Sequence, residues 1–259
     1  MVVPPLEEYS KKYENIKFHR EDGILQITMH SDNADLLWGF APHQELGYCF
    51  GDIASDPENK VIIFTGSGDT FIHKEDLGGG EVDAAVWGEH VMPDAKRLLM
   101  NLLEIQAPMI AAVNGPASVH AELALLCDIV LAADHATFQD APHYPSGLVP
   151  GDGVHIVWPM LLGLNRGRYF LMTGQELSAE EALNLGVVNE VMPHAKLVDR
   201  AWELARGIRK RPALTTRLAR EAMLQPVKQA MLAHLPYGLA LEGLAACDYW
   251  PTHFKVEKL

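Results

Sequence analysis

The sequence is short of cysteine, short of positive charge and without a long unbroken apolar run, and each shortage removes a class of protein. Cys49, Cys127 and Cys247 stand far apart in apolar segments and form no CxxC pair, so buried reduced thiols account for them better than disulfides or a zinc site. A formal charge of -13 repels phosphate backbones, so no nucleic-acid partner is expected. No uninterrupted apolar run approaches the roughly twenty residues that span a bilayer, so no membrane partner is expected either. The opening "MVVPPLEEYSKKYENIKF" carries acidic residues early and no hydrophobic signal core, which reads as cytoplasmic. Histidine is plentiful, yet no HxH, HxxxH or HExxH spacing gathers it, so no metal site is expected.

What is present supports one large soluble domain or a domain with a helical appendage: 259 residues, about half of them apolar. "GILQITMH" from Gly23 alternates as a half-buried strand does, "PHQELGYCFGDIA" from Pro42 has helical periodicity, and "KVIIFTGSGD" from Lys60 reads as a buried strand ending in a turn. A loop at 74–83 leads to the helix "MPDAKRLLMNLLEI", the strand "APMIAAVNG", a helix containing Glu122, and a return to the sheet in "CDIVLAADHATFQD". This alternation predicts an α/β fold with a largely parallel sheet, whose ligands sit where strands give way to helices. In "VNGPASVHAELALLCD" that change falls at His120, a place where backbone NH groups or the ring itself can hold something small and polar.

Beyond Phe138, "APHYPSGLVPGDG" packs three prolines and three glycines into thirteen residues, too many for regular structure, and long loops inside compact domains are usually functional. "SAEEALNLG" follows, with Ser178 and Glu181 as a capping box and Gly186 as a C-terminal cap. From about Ala195 the chain reads as helix after helix: "KLVDRAWELARGIRK", "ALTTRLAREAMLQ" and "VKQAMLAHLPYGLALEGLAACDYW". The expected division is therefore a core at 1–194 and a helical region at 195–259.

"ENKVIIFTGSGDTF", "MIAAVNGPA", "ELALLCDIVLAADHATF", "GLVPGDG" and "TGQELSAEEALNLGVVNEVMP" stand in the order and spacing of the crotonase (enoyl-CoA hydratase/isomerase) superfamily, which the chain resembles over nearly its whole length. The resemblance implies a spiral of ββα units with a C-terminal helical trimerisation region, trimers or hexamers built as dimers of trimers, and chemistry that passes through an enolate held in an oxyanion hole. The departures fall on catalytic positions. "FIHKEDL" stands where the superfamily usually has a small-residue stretch, Ser118, Val119 and His120 replace a run of glycines, and Pro142 is followed by His143 instead of a glutamate. In these features the chain resembles the β-diketone hydrolase branch.

That resemblance implies a small diketone as substrate, no cofactor, and a role for each matching residue. His143 is the base that takes a proton from water, with a rate rising through an ordinary imidazole pKa. Asp152 fixes its tautomer, as an aspartate does in a hydrolytic triad. His120 and Trp38 hold the enolate oxygen; His43 orients them or the substrate; Glu242 binds or reprotonates the product; Phe71 and Tyr144 contact the substrate. Plainer readings stand beside these: a turn residue for Asp152, core packing for Trp38, a helix-start cap for His120, a structural histidine for His43 and an interface or solvated carboxylate for Glu242. Glu122 falls where hydratases keep a catalytic glutamate and reads as structural or supporting once its partner glutamate is gone. Three activities remain open at this level: a diketone hydrolase, an acyl-CoA hydratase or isomerase, and a binding protein without catalysis.

Overall fold

A computed structural model describes residues 4–76 and 82–253. Ten strands alternate with helices: β1 Ile16–Glu21, β2 Ile24–Met29, β3 Leu37–Trp38, β4 Val61–Gly66, β5 Lys74–Glu75, β6 Met109–Val113, β7 Ile129–Ala133, β8 Thr137–Phe138, β9 Leu177–Ser178 and β10 Glu190–Met192. The longer helices are α1 Phe40–Ser55, α2 Met92–Glu104, α4 Val154–Leu162, α5 Leu164–Thr173, α6 Ala179–Asn184, α7 His194–Arg209 and α8 Ala213–His253, with the single-turn α3 Glu122–Leu125 between β6 and β7.

The main sheet runs β1-β2-β4-β6-β7-β10. Within this sheet, among the described residues, only the β1–β2 hairpin is antiparallel, closed by Asp22 and Gly23 at positive φ, as a tight hairpin turn requires. The remaining pairs are parallel. The inner strands are accordingly apolar without alternation: every residue of β4 and of β6 is buried, because both faces of the sheet are covered. Helix α7 lies on this sheet, and its Trp202 indole donates to Gln26 Oε1 at 2.7 Å, so the expected helical region begins with a helix belonging to the core packing. The capping box at Ser178 and Glu181 and the positive-φ Gly186 are as the sequence predicts.

One expectation fails at the C-terminus. The two helices predicted on either side of Pro226 form one continuous helix, α8, which carries Pro226 and Pro236 in its interior. Pairs on both sides of the first proline hold it to the body: Arg220, 1 % exposed, donates to Asp128 Oδ2 at 2.7 Å, while Lys228 pairs with Glu221 at 2.6 Å and Glu104 at 3.6 Å. Such tethering offsets the roughly 3 kcal/mol that an interior proline costs. Its Ala213–Tyr249 stretch is long and apolar enough to cross a membrane by length and composition alone. Its buried Arg220, Lys228 and Glu242 are partnered within the chain, as in a helix built for this fold.

Candidate active site

Three structural devices converge on one cavity of about 580 Å³. The first is the two-residue ladder β3–β5, in which Trp38 is paired with Glu75 and its carbonyl accepts from the Asp76 amide at 2.7 Å. This fixes Trp38, 2 % exposed, immediately before α1, so that His43 follows one turn into the helix. The second is the turn between β6 and α3. His120 adopts φ +47°, a left-handed conformation that favours glycine, so the histidine keeps the backbone shape of a glycine while adding a ring. Because α3 is a single turn, its dipole is small, and the His120 ring is the stronger polar group presented here. The third is the loop from Asp140 to Gly153, which turns at Tyr144–Ser146 and sends the amides of Ser146 and Leu148 back to the His143 carbonyl at 2.9 Å each.

The loop and α8 meet through glycine. A Cβ on Gly151 would stand 2.2 Å from the Gly238 carbonyl oxygen and 2.7 Å from Glu242 Cβ, so only the bare backbone lets the helix approach. That approach brings Glu242 beside Asp152 and His143, residues far apart in the chain.

Each of the three histidines is held at Nδ1 by a carboxylate. His143 Nδ1 lies 2.6 Å from Asp140 Oδ1, His120 Nδ1 lies 2.7 Å from Glu122 Oε1, and His43 Nδ1 lies 2.9 Å from Asp94 Oδ2. All three residues line the same cavity, and these contacts leave Nε2 of each ring outside the carboxylate bond at Nδ1. Asp152 Oδ2 stands between two of them, 3.4 Å from His143 Nε2 and 3.4 Å from His120 Nδ1, and Glu242 Oε1 lies 3.5 Å from His143 Nε2. The Trp38 and His120 ring centres are 4.5 Å apart, with His43 edge-on to both at 5.5 and 5.6 Å.

Charge follows from these contacts. Burial alone pushes the His120 imidazole down, but the Glu122 carboxylate, its hydrogen bond and Asp152 outweigh it and hold the pKa at about 9. His143 is likewise disfavoured as a cation by burial and yet raised well above the ordinary imidazole value by Asp140 and Asp152. His43 goes the other way, because burial outweighs the pull of Asp94. Asp152 resists the upward push of burial and is held low, chiefly by His143. Burial dominates at Glu242 and raises it to about 7, within reach of proton transfer near neutrality. Glu122 Oε2, Asp140 Oδ2, Asp152 Oδ1 and Glu242 Oε2 are buried without a protein hydrogen-bond partner, so the cluster has acceptor capacity to spare. The sets His120–Glu122–Asp152 and His143–Asp152–Glu242 each bring ligand-type atoms within 4.8 Å, close enough to share a proton or a cation. In the first set the 2.7 Å bond between His120 and Glu122 makes a shared proton the simpler occupant.

Trp38, His43, His120, His143, Asp152 and Glu242 thus line the same cavity, together with Phe40, Trp87, Leu148 and Leu239. Two predicted substrate contacts do not. Phe71 is fully buried with its ring 5.2 Å from that of Phe64, a core position set by the apolar strand it packs on. Tyr144 lies in the loop's short turn, about half exposed, outside the cavity lining. The Nδ1 partner of His143 is Asp140 and not the predicted Asp152, which faces Nε2 instead. Asp140 had a local signal, three residues before His143; Asp94 had none, because it reaches His43 only through the packing of α2 on α1.

The family model described as enoyl-CoA hydratase/isomerase matches residues 19–240. Among solved structures, the chain is 46 % identical, over 95 % of its length and 99 % of the other's, to a β-diketone hydrolase from the cyanobacterium Anabaena sp. PCC 7120 bound to (S)-3-oxocyclohexyl acetic acid, with a TM-score of 0.91. An enoyl-CoA hydratase/isomerase from Mycobacterium paratuberculosis is similar at 26 % identity and TM-score 0.81, covering 90 % of this chain and 94 % of its own. Among curated proteins, a carnitinyl-CoA dehydratase from Salmonella arizonae is 34 % identical over 89 % of this chain and 94 % of its own length.

Proposed function

The chain belongs to the enoyl-CoA hydratase/isomerase family, and we propose that within it this enzyme hydrolyses a carbon–carbon bond of β-diketones, giving keto acids by a retro-Claisen reaction. The observation that carries this reading is the set of three carboxylate-held imidazoles opening with Trp38 onto one cavity. Likeness to a β-diketone hydrolase over nearly the whole chain supports it. So does the fate of two turn amides: Ser118 N and Val119 N both donate to the Ile72 carbonyl, and so are engaged within the fold instead of facing a thioester oxygen.

In this mechanism water adds to one carbonyl while His143 Nε2 takes its proton, and Asp140 holds Nδ1–H and stabilises the imidazolium that forms. Asp152 and Glu242 flank Nε2 and orient the water through their unpartnered oxygens. The bond to the central carbon then breaks, and its electron pair passes to the oxygen of the second carbonyl. Trp38 Nε1–H and the protonated His120 hold that oxygen, with Glu122 fixing the His120 ring from behind. The product is a carboxylic acid and a ketone joined as one molecule when the diketone is cyclic. Water is the only co-substrate.

A hydratase or dehydratase acting on acyl-CoA thioesters is the competing reading, favoured by the curated relatives. It needs a pair of catalytic glutamates; Glu122 stands at one position with Oε1 held 2.7 Å from His120 Nδ1, and His143 occupies the other. The two readings separate when the protein is given cyclic 1,3-diketones and crotonyl-CoA in parallel. Loss of diketone ultraviolet absorbance with crotonyl-CoA untouched is the expected result. Turnover of crotonyl-CoA alone would overturn the proposal.

A further inference from the structure

The proton that His143 takes from water returns to solvent as the acid product leaves, so another donor must protonate the enolate on carbon before the ketone is released. Two groups that line the cavity are candidates to supply this proton. Glu242 stands 3.5 Å from His143 Nε2, at the end where water adds. His43 stands at the other end, edge-on to both groups that hold the enolate oxygen, Trp38 and His120.

His43 has its own support. Its Nδ1 is 2.9 Å from Asp94 Oδ2, the other Asp94 oxygen accepts from Arg97, and the Arg97 guanidinium lies 4.4 Å from the centre of the Tyr48 ring. His43 and Tyr48 come from α1, Asp94 and Arg97 from α2, so the packing of these two helices aims the ring. A carboxylate on Nδ1 fixes the neutral tautomer with its proton on Nδ1 and its lone pair on Nε2, and it stabilises the cation formed when Nε2 gains a proton. The arrangement is that of an acid–base pair, and burial keeps the resting ring neutral.

We propose, resting on the diketone hydrolase reading, that His43 carries the proton to and from the enolate carbon, and that Asp94 and Arg97 are positioning residues acting through it. In the forward direction a proton from bulk water enters through the cavity mouth to Nε2. It then passes to the carbon next to the oxygen held by Trp38 and His120, and the enolate electron pair forms the new C–H bond. In reverse, the C–H bond beside a ketone breaks, the proton goes to Nε2 and the electron pair moves onto oxygen. The enzyme therefore has a second activity that needs no carbon–carbon cleavage: stereospecific exchange of a hydrogen beside a ketone with solvent.

The experiment follows deuterium incorporation from D₂O into one enantiomer of 3-methylcyclohexanone by NMR, alongside diketone hydrolysis. Wild type is expected to exchange a single hydrogen at one face. His43→Gln removes at least 100-fold of that rate, Asp94→Asn about 10-fold, and Asp94→Glu restores part of the loss, which a folding defect would not allow. The ratio of exchange to hydrolysis rises at least 10-fold in His143→Ala. Hydrolysis without exchange in wild type overturns the inference and leaves the function intact; exchange without diketone hydrolysis does the reverse. Exchange that survives in His43→Gln and is lost in Glu242→Gln transfers the proton to Glu242 and overturns the assignment.

Discussion

Burial and carboxylates together shift three chemically identical imidazoles in different directions. His143 is held as a cation well above its ordinary pKa, so its base form is scarce at neutral pH. The proposed mechanism uses that base form. It follows that kcat/KM rises with pH, about tenfold per unit, and levels off only above the usual histidine range, later than an isolated imidazole of pKa about 6.5 would allow. A pH–rate profile checks this. Asp140→Asn removes an upward influence on the same ring, so the inflection moves to lower pH while the plateau kcat falls, by roughly 10- to 100-fold if the imidazolium is left without its Nδ1 support. A profile unchanged in position would show that Asp140 does not hold the reacting ring. The sequence exposed His120 and His143 because they stand where the superfamily usually has a glycine and a glutamate, and Trp38 through its match to the β-diketone hydrolase branch. It hid Asp94 and misplaced Asp152, since which nitrogen a carboxylate meets depends on a ring rotation that no spacing encodes.

Segments with one dominant physical cause were legible: the fully apolar β4 and β6, the Ser178 capping box, and the proline- and glycine-rich loop at 141–153. The join of α8 across Pro226 was not, because local propensity argues for a break and the tethers that override it, Asp128 and Glu104, lie on other elements. Phe71 shows the same limit: an aromatic beside a rebuilt catalytic segment proves to be core once its packing against Phe64 is seen. The glycine contact between the loop and α8 leads to a prediction. In Gly151→Ala the new methyl meets the Gly238 carbonyl at 2.2 Å, so loop and helix must part. Overpacking of this kind costs about 1–3 kcal/mol. A lower Tm and a kcat reduced more than 10-fold, with Asp152 and Glu242 drawn apart, are expected. Gly163→Ala provides a comparison, since no atom lies within 4 Å of the added Cβ, although its positive φ carries a backbone cost of its own.

Across the whole molecule, large apolar side chains remain uncovered on α5 and α8. Leu164 is 73 % exposed and Leu244 71 %, with Leu214, Met223, Leu232 and Tyr237 each above 60 %. Apolar surface of this extent is unusual on an isolated soluble chain, and we propose that further copies of the same chain cover it in a trimer or a dimer of trimers. Sedimentation should give an oligomer, and Leu232→Glu with Leu244→Glu should shift it toward monomer. Stability should also depend on pH through His120. Its folded pKa of about 9 exceeds the unfolded value of about 6.5, so the contribution is complete below about pH 6.5 and is lost as pH rises through about 9. Thermal unfolding of wild type should weaken over that window, and His120→Asn should flatten the curve.

The central claim is that water cleaves a carbon–carbon bond in this cavity. Turnover of a cyclic 1,3-diketone in H₂¹⁸O, read by mass spectrometry, tests it most directly. The account predicts a keto acid carrying one ¹⁸O from solvent in its carboxylate beyond background exchange, and loss of that product in His143→Ala. An intact diketone after prolonged incubation, with hydration of an enoyl thioester by the same preparation, would contradict it.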